Sequence, residues 1–120
     1  MENLIGPDEP RYRSRGEAQV GRVLRRFDIP FLYEAPTLIF DRGRYRIWNP
    51  DFTLPTLDDL IVEYAGMMDR PDYASGQRHK QRAYAANQKM AVWVYPADLC
   101  GPGWPLRLLD RIRRYAVSHR

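Results

Sequence analysis

Apolar positions along the chain switch between two periods, and each switch marks a change of element. Val20, Val23, Leu24 and Phe27 recur at i, i+3, i+4 and i+7, the stripe of an amphipathic helix that buries one face. Ser14-Arg15-Gly16-Glu17 precedes the stripe with the spacing of a capping box, in which the serine oxygen takes a first-turn N–H and the glutamate reaches back to the cap. Asp28-Ile29-Pro30 ends this predicted helix. Phe31-Leu32-Tyr33 and Thr37-Leu38-Ile39-Phe40 then read as strand segments interrupted by Pro36, and Asp41-Arg42-Gly43 as a hairpin turn into Tyr45-Arg46-Ile47-Trp48. Residues 1–13 hold Gly6, Pro7 and Pro10 without any periodicity and are expected to form an extended arm.

Asp51-Phe52-Thr53-Leu54 and Leu60-Ile61-Val62-Glu63-Tyr64-Ala65 are strand-like runs around a turn-rich loop, the pattern of an antiparallel hairpin. With the hairpin centred on Leu57, Asp51 falls opposite Glu63 on one face, at a Cβ separation of about 5 Å. Ala65 shares that face by alternation, and a slip of one residue would separate the acids. A run rich in Ala, Gln and Arg from about Ser75 to Gln88 suits a helix and carries Arg78, His79 and Lys80. Met90 to Tyr95 is short and almost continuously apolar, as for a strand covered on both faces, and is expected at the centre of the sheet. Pro96 stops it. Gly101-Pro102-Gly103 is a turn, and Pro105 opens a last helix with Leu108, Leu109, Ile112 and Tyr115 in one stripe. The order of helix, strands, helix, strand and helix predicts one α/β domain over 14–120, a mixed sheet flanked by helices.

Composition narrows the classes. At 120 residues and 44% hydrophobic the chain has room for one folded core. No apolar run approaches the roughly 18 residues that span a bilayer, and the opening residues lack the pattern of a signal peptide, so no membrane partner and a cytoplasmic location are expected. A single cysteine, Cys100, excludes an internal disulfide and a four-thiolate zinc site. The net charge is +4, yet Glu2, Asp8 and Glu9 sit in a first decade without a basic residue, so the remainder is three charges more positive. All cations but Lys80 and Lys89 are arginines, whose planar fork suits phosphate; a codon bias explains the same excess equally well. Arg22, Arg25 and Arg26, mostly opposite the apolar stripe of the first helix, are either a phosphate track or a solvated face.

Two carboxylates facing each other across a hairpin destabilise it unless a positive charge lies between them. Hard oxygen ligands from Asp51 and Glu63 suit Mg²⁺, with Mn²⁺ as substitute, and such an ion acidifies a bound water and steadies charge on a phosphoryl group.

Pro50-Asp51-Phe52-Thr53-Leu54 followed by Ile61-Val62-Glu63-Tyr64-Ala65-Gly66, after a helix bearing Glu17, resembles the PD-(D/E)XK nuclease superfamily. The resemblance runs from about Ser14 to Leu99 and implies the restriction-endonuclease-like fold, a three-layer sandwich whose core is a first helix, a three-stranded meander, a helix and another strand. It further implies that Asp51 and Glu63 are metal ligands, that Glu17 contacts the metal or its water, and that the Ala65 carbonyl also coordinates. The motif has lysine where this chain has Ala65. Glu63-Tyr64-Ala65-Gly66 with Tyr73 and Lys80 farther on is similar to members that carry the lysine on the following helix, which makes Lys80 the catalytic cation; Lys89 is the poorer candidate. Tyr73 and Arg78 join Arg22, Arg25 and Arg26 as candidate nucleic-acid contacts. His79, beside Lys80, reads first as a surface residue.

The expectation is a metal-dependent nuclease acting on DNA, branched or single-stranded substrates included. A monomer has one site and cuts single strands, whereas duplex scission requires a homodimer. The rival, motivated by Ala65, is a catalytically inactive nucleic-acid-binding module on the same fold. Glycoside hydrolysis by the acid pair is disfavoured because so small a chain has no long aromatic cleft.

Overall fold

The computed structural model of the chain describes residues 9–118. In chain order its elements are α1 (Arg15–Arg26), β1 (Leu32–Tyr33), β2 (Thr37–Asp41), β3 (Arg44–Trp48), β4 (Phe52–Leu54), β5 (Leu60–Tyr64), α2 (Pro71–Ala86), β6 (Ala91–Val94) and α3 (Trp104–Ser118). Among the described residues no helix is long and apolar enough to cross a membrane. The first eight residues of the expected arm lie outside the described residues. Of the rest, Tyr12 packs edge-on to Tyr33 at 5.1 Å between ring centres, and Glu9 faces Arg22 and Arg25 at 3.8 and 4.0 Å.

Helix α1 begins as its cap dictates, with Ser14 Oγ accepting from the Glu17 N–H at 3.1 Å. The other half of the predicted capping box is not made. Glu17 instead accepts a hydrogen bond from the Tyr33 hydroxyl, 16 residues away. A phenol donating to a carboxylate makes a stronger bond than a neutral backbone N–H, so the tertiary partner displaces the local one.

The main sheet is mixed, in the order β1-β4-β5-β6, with antiparallel pairs except for β5 and β6. Phe52 pairs with Val62, Thr53 with Ile61 and Leu54 with Leu60, which is the predicted register. It follows from alternation, since Phe52, Leu54, Leu60 and Val62 all turn to one core with Val92 and Val94. That core is closed by Val20, Val23 and Leu24 of α1 and Leu108, Leu109 and Ile112 of α3. The opposite face carries Ile61, Ala91 and Trp93 against Ile39, Ala83 and Tyr84, so α2 and β2 cover it. Helices thus lie on both sides of the sheet.

Three expectations are corrected. The strands between the first two helices do not form one continuous meander, because β2 and β3 make a separate two-stranded sheet joined by Arg42 and Gly43, both at positive φ as a tight hairpin requires. Strand β6 is an edge strand, not a central one. Its continuous apolarity reports two covered faces, which it has, and carries no information on strand neighbours. Arg111 of α3 donates to the Trp93 carbonyl on that strand. Helix α2 starts four residues earlier than expected because Pro71 takes its first position, where the missing N–H costs nothing.

Gly16 fixes how α1 meets β5. A Cβ there would lie 2.1 Å from the Tyr64 ring. Gly16→Ala is therefore expected to lower stability by about 1–3 kcal/mol in thermal or urea unfolding, as overpacking does. In the Tyr64→Ala background the same substitution should cost far less; an equal cost in both backgrounds would place the strain elsewhere.

Candidate active site

The hairpin ladder of β4 and β5 runs out just before Asp51, and this is what aims the Asp51 side chain. Its Oδ2 accepts the Tyr64 N–H at 2.8 Å, so the carboxylate satisfies a backbone donor that β4 no longer reaches. The Asp51 carbonyl meanwhile accepts from the Glu34 N–H at 3.1 Å, which ties the same residue to the end of β1. Asp51 is anchored on both sides, and its other carboxylate oxygen is left for other work.

Glu63 is 2% exposed, the most deeply buried acid among the described residues. It lies beneath an aromatic layer in which the Tyr84 ring packs against Trp48 and Trp93, with centres 5.7 and 6.2 Å apart. The Tyr84 hydroxyl donates to Glu63 Oε2 at 2.5 Å. Lys80, one turn earlier on α2, brings its ammonium to 3.8 Å from Glu63 Oε1. Each oxygen of this carboxylate is thus addressed by a different residue of one helix face.

Burial, and after it the charge of Glu63, pushes the Asp51 carboxyl up to about 8. The Tyr64 N–H and Lys80 work in the opposite direction without offsetting these effects, and Glu17 adds to the rise. Burial followed by the charge and hydrogen bond of Glu63 raises the Tyr84 hydroxyl, which stays protonated and remains a donor. The site is therefore short of positive charge. Among the described residues no three His, Cys, Asp or Glu side chains converge as a ready-made metal cage. What converges is a pair of hard carboxylates, Glu63 buried and Asp51 half-buried, each raising the cost of charge on the other, which fits a divalent cation that keeps several waters.

The remaining candidates fall in three places. Tyr73 lies at the mouth of the site, where its hydroxyl accepts from the Gly66 N–H at 3.2 Å and where Asp51 and Glu63 help raise its own ionisation, after burial. Ala65 is fully buried and its N–H pairs with the Val94 carbonyl at 2.8 Å, continuing the β5–β6 ladder. Glu17 is buried on α1, in the hand of Tyr33. Arg22, Arg25 and Arg26 stand on α1, in the layer opposite α2: the first two face Glu9, and Arg26 lies over the Phe27 ring at 5.3 Å. Arg78 is exposed on α2. Lys89 is exposed beyond the end of α2. His79 turns away from the acids and meets Asp41 of β2 at 3.0 Å.

Tyr84 is the residue that sequence reasoning passed over. It follows Lys80 by four positions as Lys80 follows Tyr73 by seven, so all three share one helix face, and that spacing was the available signal. A groove of about 920 Å³ along α3 holds none of these acids. Its Arg107 and Arg111 are spent on the Cys100 and Trp93 carbonyls, and Arg114 on Asp110.

Comparison of the chain with protein-family models, with curated proteins and with solved structures gives no match.

In metal-free buffer the folded state keeps a proton on Asp51 that an unfolded chain releases near pH 4. Stability contributed by this group therefore falls as pH rises from about 4 to about 8. Asp51→Asn retains the acceptor for Tyr64 and removes the charge. Thermal unfolding in EDTA is expected to show the variant gaining on the wild type steadily across that window; parallel profiles would mean that burial and Glu63 together do not hold a proton on Asp51.

Proposed function

We propose that the protein is a metal-dependent nuclease of the PD-(D/E)XK type that hydrolyses DNA phosphodiesters, with its α/β/α layers in the restriction-endonuclease-like arrangement. The observation that carries this reading is the pair of buried Glu63 and half-buried Asp51 with Lys80 beside it. Glycosidic chemistry would use such acids without a lysine, whereas a phosphodiester brings negative charge that a lysine must meet.

Asp51 and Glu63, with the Ala65 carbonyl, would hold Mg²⁺ or Mn²⁺, which when bound supplies a more acidic water and neutralises charge on the phosphate. Tyr64 and Tyr84 orient the two carboxylates through one hydrogen bond each, so the metal would take the other Asp51 oxygen and Glu63 Oε1, the atom nearest Lys80. Lys80 keeps a third of its side chain in solvent while its Nζ lies near Glu63, and its long stem lets it meet a scissile phosphate as charge builds there. Glu17, held by Tyr33, adds negative potential that favours a cation at Asp51.

The test is cleavage of labelled single-stranded, duplex, flap and four-way-junction DNA with Mg²⁺, Mn²⁺ or EDTA. Cutting is expected only with metal, is abolished in Asp51→Asn, and falls by about 10²–10³ in Lys80→Ala, the usual cost of a lost transition-state donor. Salt-sensitive binding without cleavage under any metal would overturn the reading in favour of an inactive binding module, with Ala65 as the lesion.

A further inference from the structure

The hairpin of β2 and β3 turns one face to α2 and the other to solvent. Ile39 and Trp48 face inward beside Tyr84. On the outer face Leu38 pairs with Ile47 and Phe40 with Tyr45, and these four side chains are 56%, 59%, 49% and 69% exposed. The Phe40 and Tyr45 rings meet edge to face, 5.0 Å between centres. A two-stranded sheet rarely holds its shape alone, yet this one is tied down. The Asn87 side chain pairs with both the N–H and the carbonyl of Phe40 at 2.9 Å, and His79 holds Asp41. The apolar face is therefore presented rigidly, and its exposure has to be accounted for.

Charge identifies the occupant. Arg42, Arg44 and Arg46 are all exposed on this hairpin, and its one acid, Asp41, is engaged by His79. By register Arg46 and Arg44 lie with Ile39 and Asp41 on the side of the hairpin toward α2 and Arg42 at its tip, so the cations border the exposed apolar face on the side that leads to Lys80. An anionic partner with flat apolar groups suits the surface, and unpaired nucleobases on a phosphate backbone have that chemistry. Position points the same way. Ile47 of the outer face also lines a pocket of about 300 Å³ with Trp48, Asn49, Lys80 and Tyr84, and the last two are the residues that touch Glu63.

We propose that the β2–β3 hairpin is a stacking platform for unpaired bases, with Phe40 and Tyr45 receiving them and Arg42, Arg44 and Arg46 tracking the backbone toward Lys80. This deepens the nuclease reading and rests on it for the direction of the strand. It makes single-stranded or flap DNA the substrate class.

The experiment is fluorescence anisotropy of the full chain with a fluorescein-labelled 20-mer, as a single strand and as a duplex, in EDTA. Phe40→Ser/Tyr45→Ser alters only exposed side chains, with folding checked by circular dichroism. It is expected to weaken single-strand binding about tenfold or more and duplex binding by no more than about twofold. Arg44→Glu should weaken both and flatten the salt dependence by about one to two in slope. Unchanged single-strand binding in the double variant would overturn the proposal. So would equal losses on single strand and duplex, a dimer that the double substitution converts to monomer, or wild-type binding to anionic vesicles but not to single strands. Hairpin-dependent binding in a protein that never cleaves would leave the platform standing and remove the nuclease reading. Metal-dependent cleavage with binding untouched by Phe40→Ser/Tyr45→Ser would do the reverse.

Discussion

Two neighbouring carboxylates, one buried and one half-buried, set the terms for everything around them. At cross-strand spacing, about 5 Å, like charges repel by about 3 kcal/mol at an effective dielectric near 20. Such a sum is a large part of the roughly 5–15 kcal/mol that holds a domain folded. The surroundings of Asp51 and Glu63 read as answers to that repulsion: a backbone N–H on one acid, a tyrosine hydroxyl and a nearby ammonium on the other. They do not restore an ordinary acid, since burial first and the charge of Glu63 second push the Asp51 carboxyl up to about 8. A site built for stability alone would replace such a pair with apolar side chains. Keeping it makes sense where a cation supplies the missing charge.

Much of this was legible because it rests on local periodicity. The β4–β5 register follows from Phe52, Leu54, Leu60 and Val62 all needing the same core, and with it the juxtaposition of Asp51 and Glu63. The helix start at Ser14 was legible for the same reason, being a matter of four consecutive residues and one hydrogen bond. The partner of Glu17 was not, because Tyr33 comes from another element and nothing in the local sequence ranks it above the helix cap. Nor was the edge position of β6. A strand's own pattern shows which of its faces are covered, and Val92, Val94, Ala91 and Trp93 report two covered faces correctly, but its flanks depend on what else pairs. The detachment of β2 and β3 belongs to the same class, since their alternation matches that of strands inside a sheet while their outer face goes uncovered.

Burial distinguishes residues 65 and 80 as places for a positive charge near the acids. Ala65 sits two residues beyond Glu63, wholly enclosed, with its N–H already committed to β6. An ammonium at that position would have to shed most of its water, a loss the two acids would only partly offset. Lys80 reaches Glu63 from α2 with a third of its side chain still solvated, so the same charge arrives at smaller desolvation cost. This choice has a structural corollary. The turn of α2 that carries Lys80 also carries His79, which grips Asp41 of the hairpin, and Tyr84 one turn on holds Glu63 while packing against Trp48 at the end of β3. The cation, the orienting hydroxyl and the exposed aromatic hairpin are thereby mounted on two turns of one helix, so displacement of the hairpin bears directly on the segment that sets the geometry at Glu63.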